Sequence, residues 1–247
     1  MNLHVKDISK SFNGREVLKN ISFTVEKGEF ISIVGPSGSG KSTLFHIIGG
    51  ILSPDHGQIV LNGKDITNQS GFISYMPQSP SLFPWRTVLE NALLGQELAG
   101  KVDIERAKKL LIKAGLEKVI DAYPHTLSGG MKQRVAFIRA LLSPQSMMCL
   151  DEPFSALDAF TRLDMQKWLL NIWETYEKSI LFITHDIEEA LFLSDKIIIL
   201  SSNPAEIKKI VSVPFSRPRK EDLLLSYSFV DLKKEITKLI NKNYMEV

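Results

Sequence analysis

Gly35-Pro36-Ser37-Gly38-Ser39-Gly40-Lys41-Ser42 fits the pattern G-x-x-x-x-G-K-[ST]. It follows the apolar run Phe30 to Val34, which reads as a buried parallel strand. It precedes Lys41 to Ile48, which reads as a helix. Glycines let the backbone wrap closely around phosphate oxygens, because a Cβ would obstruct the dihedrals required. The loop N–H groups of residues 35–40 and the positive N-terminus of the helix then face the anion together. Lys41 is expected to reach the β- and γ-phosphates, and the Ser42 hydroxyl to ligate Mg²⁺, with Thr43 completing the phosphate-binding run. A chain this long meets the pattern by accident roughly 1% of the time, and a chance turn would lack the flanking strand and helix. The loop predicts a nucleoside triphosphate site in an α/β fold.

Outward from the loop, the pattern is strand alternating with helix. Residues 3 to 8 alternate in polarity, as do Ile21, Phe23 and Val25, and Gln58 to Leu61 ends at the turn pair Asn62-Gly63. From Pro80 to about Pro124 helical periodicity takes over, with Val88, Leu89, Ala92 and Leu93 on one face and Leu110, Leu111 and Ala114 on another. Met147 to Leu150, Ile180 to Thr184 and Lys196 to Leu200 return as apolar strands. Pro214 to Lys220 reads as a connector, and Leu232, Ile236, Leu239 and Ile240 form the stripe of a terminal helix. No internal repeat is visible, so the chain is read as one nucleotide-binding unit.

The 247 residues carry 44% hydrophobic and 23% charged side chains and a net charge of +2. That is ordinary for a globular protein and gives no general attraction to nucleic acid. The single cysteine, Cys149, excludes an internal disulfide framework and suits a reducing compartment. The first residues, MNLHVKDISKSF, are too polar for a secretory leader. No apolar run approaches the roughly 20 residues of a membrane helix.

Met147 to Leu150 leads into Asp151-Glu152. An apolar strand ending in acids, downstream of such a loop, suits Mg²⁺ held by Asp151 and a water polarised or oriented by Glu152. Solvated carboxylates at a strand end would look the same, and it is the pairing with the phosphate loop that favours catalysis.

Leu127-Ser128-Gly129-Gly130-Met131-Lys132-Gln133-Arg134 narrows the choice. LSGG followed by xQR, shortly before the acid pair, resembles the signature of the ATP-binding cassette (ABC) ATPases. Ser128 and the glycine amides would open a helix and offer a second anion-binding surface, and Ser128 as a plain helix cap is compatible with that. Other positions fit the resemblance. Gln78 stands where the family has a glutamine that senses γ-phosphate and metal. Ser155-Ala156-Leu157-Asp158 matches the D-loop, and His185 the switch histidine. Phe12 stands where an aromatic stacks on adenine, the alternative being a residue in the core of a small β-subdomain.

The resemblance spans residues 3 to 215. It implies a P-loop NTPase (RecA-like) core with a mainly parallel sheet, a small antiparallel β-subdomain and an inserted helical subdomain. The expected boundaries are 1–78 for the β-subdomain and phosphate loop, 79–145 for the helical part with the signature, 146–213 for the rest of the core, and 214–247 for the connector and last helix. It also implies a homodimer with composite ATP sites, in which the signature of one copy, with Ser128 and Gly129, serves the ATP at the other's Lys41; Gly130 and Asp158 are expected among the nucleotide-binding residues. ATP and Mg²⁺ are the implied cofactors. Integral membrane permease subunits are the implied partners, with an extracytoplasmic solute-binding protein acting indirectly, and the chain is expected at the cytoplasmic face of the membrane.

Two rival classes remain. A soluble cassette ATPase of DNA repair would carry a long coiled coil between Ser42 and Ser128, and one of translation would carry two cassettes. A P-loop small-molecule kinase would leave the signature, the D-loop and His185 unused. The segment Gln78 to Asn91 (QSPSLFPWRTVLEN) resembles that of bacterial importers for nitrate, sulfonates, taurine and thiamine precursors. So does Leu200 to Pro204, although Ala205 stands where glycine is commoner. In the apolar run Leu82, Phe83, Pro84 and Trp85, either Phe83 and Trp85 fold back into the core of the helical part or some of the run line a groove for a permease helix.

Overall fold

The computed structural model describes residues 2–155, 157–176 and 178–241. In chain order it contains strands β1 (Leu3–Phe12), β2 (Arg15–Val25) and β3 (Phe30–Val34), helix α1 (Lys41–Ile48), and strands β4 (His56–Leu61), β5 (Lys64–Asp65) and β6 (Ser74–Met76). Helices α2 (Val88–Leu98), α3 (Ile104–Lys113) and α4 (Gly129–Leu142) follow, then β7 (Met147–Asp151) and α5 (Ala159–Tyr176). The chain continues through β8 (Ser179–Ile183), α6 (Ile187–Leu193), β9 (Lys196–Leu200), β10 (Ile207–Ser212) and α7 (Tyr227–Asn241). Contacts divide it into two units, Met1–Phe72 with Glu177–Val247, and Ile73–Tyr176.

The first unit has two sheets. One is antiparallel, in the order β2-β1-β4-β5. Its alternating strands bury Leu3, Val5, Ile8, Ile21, Phe23 and Val25 on one side. The β1–β2 turn places Asn13 at φ 51° and Gly14 at φ 77°, a two-residue hairpin that needs left-handed backbone at both positions. In the other sheet β3 runs parallel to both β8 and β9. A strand flanked on both edges and covered on both faces has no solvent side, so every residue of β3 is apolar or small and buried.

Antiparallel β10 extends this sheet beyond β9. The sequence reading missed β10, where Lys208 and Lys209 interrupt the apolar pattern. The stretch read as a connector is an anchor. Arg219 is buried and donates to the carbonyls of Leu191, Phe192 and Ser194 at 3.1, 3.0 and 2.8 Å. Arg217 donates to Leu193 O at 2.6 Å and pairs with Asp195 at 2.9 Å. These bonds take up carbonyls at the C-terminal end of α6, which a helix otherwise leaves unpaired. Burial, and secondarily the neighbouring Arg217, pull the Arg219 pKa down to about 10. Helix α7 closes the unit by placing Phe229 and Ile236 against Val34, Leu191, Ile197 and Ile199.

In the second unit β6 lies parallel to β7. Thr87 and Glu90 form a reciprocal capping box at the start of α2. Asp103 caps α3 by accepting from Arg106 N at 2.9 Å. Phe137 of α4 meets Trp168 of α5 edge-on, with centroids 5.1 Å apart. Among the described residues no helix is long and apolar enough to cross a membrane.

Candidate active site

In the first unit the phosphate loop leaves β3 and enters α1. Gly40 precedes the helix at φ 87°, and no side chain caps the first turn, so no side-chain oxygen takes up the amides there. A Cβ on Gly40 would come within 2.9 Å of the Leu18 and Val17 side chains, and one on Gly35 within 3.0 Å of Leu200 O. Gly40 therefore disfavours larger residues on conformational as well as steric grounds, and Gly35 on steric grounds alone. Lys41 is buried and its Nζ donates to Gly35 O at 3.0 Å and Pro36 O at 2.8 Å. The loop thus carries a fixed cation beside the positive end of α1. Pro36 and Ser39 are buried, Ser37, Gly38 and Ser42 exposed, and Thr43 half-buried.

His185 lies two residues beyond Ile183, which pairs with Ile33 of β3, so it emerges at the same strand ends as the loop. Thr184 Oγ1 donates to buried Glu189 at 2.6 Å and accepts from Asp186 N at 3.0 Å, which pins the turn on which exposed His185 sits. Phe12 is 43% exposed beside the β1–β2 hairpin turn, with Lys10 Nζ 5.5 Å from its ring centroid. It is not a core residue of the antiparallel sheet, and its ring face is of the kind that stacks on a base.

In the second unit the strand ends bring three expected residues together. Gln78, two residues past β6, donates from Nε2 to Glu152 Oε2 at 3.0 Å. Glu152 follows Asp151 at the end of β7 and holds a left-handed backbone at φ 45°. A side chain other than glycine takes that conformation at a cost of about 1–2 kcal/mol, and such strain concentrates at functional sites. Asp151 is buried at 4% exposure. Tyr75 of β6 is hydrogen-bonded to it, and burial followed by the Asp151 charge pushes the phenol pKa well up. The Cys149 thiol is raised in the same way, by burial first and Asp151 second, so it stays an inert core group.

Ser128 is the N-cap of α4, accepting from Met131 N at 3.3 Å. Ser128 and Gly129 are exposed, and a Cβ on Gly130 would come within 2.8 Å of Leu157. The signature turn and the D-loop therefore touch. Asp158 accepts from Thr161 N at 3.0 Å, and bonds from Thr161 hold its carboxyl below the usual range. Ala156 of the D-loop lies outside the described residues.

Sequence reading missed two side chains of this unit. Asn91 is fully buried and bonds to the backbone of Phe83, Arg86 and Thr87. Arg139 of α4 bonds to the carbonyls of Pro80 and Ser81. Trp85 is 70% exposed and stacks on half-buried Phe83 at 5.0 Å.

The donors suit Mg²⁺ as phosphoryl-transfer sites hold it. Ser42 offers a hydroxyl, and Asp151 a carboxylate poised in a low-dielectric strand end. Each, within its own unit, is a hard oxygen donor of the kind Mg²⁺ takes beside phosphates and water. Among the described residues no three His, Cys, Asp or Glu cluster as a resident metal site, and this mode of binding needs none.

A family model described as "ABC transporter" matches residues 18–155. The chain is 42% identical over 240 residues to the aliphatic sulfonates import ATP-binding protein of Bacillus thuringiensis subsp. konkukian, covering 96% of this chain and 94% of that one. It is 42% identical over 230 residues to the formylaminopyrimidine import ATP-binding protein of Halalkalibacterium halodurans, covering 91% and 90%. Among solved structures it resembles the dimeric post-hydrolysis state of an ATP-binding cassette bound to ADP and phosphate. There the TM-score is 0.75 at 30% identity, over 87% of this chain and 100% of that one. Phosphate loop, acid pair, signature and D-loop thus stand in a chain whose relatives are cassettes throughout its length, and the protein belongs to the ABC transporter family as an ATP-hydrolysing, ATP-binding cassette.

Proposed function

We propose that this cassette powers a membrane importer for a small solute such as nitrate, a sulfonate, taurine or a thiamine precursor. The observation that carries the catalytic reading is the bond from Gln78 to Glu152 beside buried Asp151. A carboxylate held by an amide donor at a strand end is placed to orient a water and accept its proton. Lys41 holds the β- and γ-phosphates with the amides of residues 35–40, and Ser42 and Thr43 bind at the same helix start. Asp151, Ser42 and Gln78 are the groups that would hold Mg²⁺. Bound there, the ion neutralises charge developing on the phosphate oxygens. Glu152 takes the proton of the attacking water, Gln78 keeps that carboxylate in register, and His185 donates to the γ-phosphate. Phe12 stacks on the adenine.

Two copies assemble head to tail, so that Ser128, Gly129, Gly130 and Asp158 of one complete the site around the ATP of the other. The likeness to a dimeric cassette supports this arrangement. Exposed Trp85, stacked on half-buried Phe83, is the contact for a cytoplasmic helix of the integral membrane permease, which places the chain as a peripheral subunit on the cytoplasmic face. An extracytoplasmic solute-binding protein supplies the cargo to that permease. The import proteins it resembles favour this over a soluble ATPase acting on nucleic acid.

The test is reconstitution with the permease subunits in proteoliposomes, with labelled sulfonate and thiamine precursor as cargo. ATP on the side of this subunit should drive uptake that Glu152→Gln abolishes. Outward movement, or an ATPase stimulated by DNA or ribosomes and indifferent to the permease, would overturn the proposal.

A further inference from the structure

We propose that Arg139 is a positioning residue for Gln78, lashing the loop that follows Gln78 to the helix opened by Ser128. The inference rests on the role given to Gln78 above. Arg139 lies ten residues beyond Gly129, about 15 Å along α4 at 1.5 Å per residue. Its two terminal nitrogens donate to Ser81 O at 2.9 Å and to Pro80 O at 2.8 Å. A guanidinium on an exposed helix face is ordinarily left to water or a carboxylate. This one is turned inward onto two backbone carbonyls, and burial lowers its pKa. A desolvated cation persists only with such compensation. What it grips is itself strained, since Ser81 holds φ at 46°.

The remainder of the loop is held from another helix. Asn91 of α2 accepts from Phe83 N at 2.8 Å and donates to Phe83 O and Arg86 O at 3.1 and 2.9 Å. On the upstream side Met76 is fixed in β6 by its pairing with Leu150 of β7. Only Pro77, Gln78 and Ser79 lie between that strand and the carbonyls that Arg139 holds, and Pro77 has its φ fixed by its ring. The span is too short to wander, so the Arg139 grip sets where the Gln78 amide meets Glu152. The same grip joins α4, whose first turn carries the signature, to the segment that carries Phe83 and Trp85.

The experiment is a double-mutant cycle on the full chain, combining Arg139→Met with Gln78→Ala and reading kcat and KM for ATP. Arg139→Met should lower kcat about tenfold and leave KM within about twofold, because the phosphate loop is built by other residues. Gln78→Ala should lower kcat alone but add less than about twofold in the Arg139→Met background, since the two act through one contact. Arg139→Lys, which keeps the charge and can reach one carbonyl, should recover part of the loss, and it replaces Arg139→Met in the cycle if that variant does not fold. Unchanged kcat in the Arg139 variants, or losses that multiply in full, would overturn the inference and leave the role of Gln78 intact. A silent Gln78→Ala would overturn the catalytic reading and this inference with it.

Discussion

Lys41 and Arg219 are both buried cations held by backbone carbonyls, and they differ in what they serve. Lys41 belongs to the loop that takes phosphate. Lys41→Ala should weaken ATP binding at least tenfold by titration with a fluorescent ATP analogue, with the fold intact by circular dichroism. Arg219 serves the fold. Replacing it with Met removes donors from buried carbonyls, which costs about 1–3 kcal/mol for each group left unsatisfied, so urea unfolding should show a loss of about 2–4 kcal/mol. ATP affinity should stay within twofold. Lys41 was legible in the sequence because the glycines that require it lie within six residues. Arg139, Asn91 and Arg219 were not, because an arginine or asparagine on a helix, or an arginine in a connector, reads as solvated until the chain folds its distant carbonyls against it. Phe12 was half-legible. Its pattern allowed core or base-stacking, and only the hairpin turn next to it shows the ring exposed.

At the scale of elements, the segment between β6 and α2 is a strap tied at two points, and Trp85 of its aromatic pair is exposed although the backbone is fixed. Trp85→Ala should therefore leave the ATPase of the isolated cassette within about twofold, while lowering assembly with the permease in a membrane pull-down. An equal loss of ATPase in the isolated cassette would give Trp85 a core role instead. Thr87→Ala removes one half of the capping box and should cost about 1 kcal/mol, seen as a fall in Tm of about 2–4 °C. Strands β3, β7, β8 and β9 were legible as short apolar runs because strands covered on both faces have no polar phase to confuse them. Strand β10 escaped because two adjacent lysines break both periodicities, and its place as an antiparallel edge makes that tolerable.

For the whole molecule the claim is that two copies complete each other's ATP sites. The order of motifs along the chain made the cassette legible, since no other reading uses the loop, signature, acid pair and histidine together. How two copies meet could not be read from one chain, because the exposed faces of Ser128 and Gly129 look like an ordinary helix start. Mixing a Lys41→Ala chain with a Ser128→Arg chain puts both lesions into one site of the mixed dimer and leaves the other whole. ATP occlusion should then appear in the mixture and be absent from either parent. The most direct measurement is on Glu152→Gln alone, incubated with MgATP and followed by phosphate release and size-exclusion chromatography. The account predicts that ATP binding persists, turnover falls by at least a hundredfold, and an ATP-bound dimer accumulates; a Glu152→Gln protein that releases phosphate at the rate of the unaltered chain would contradict it.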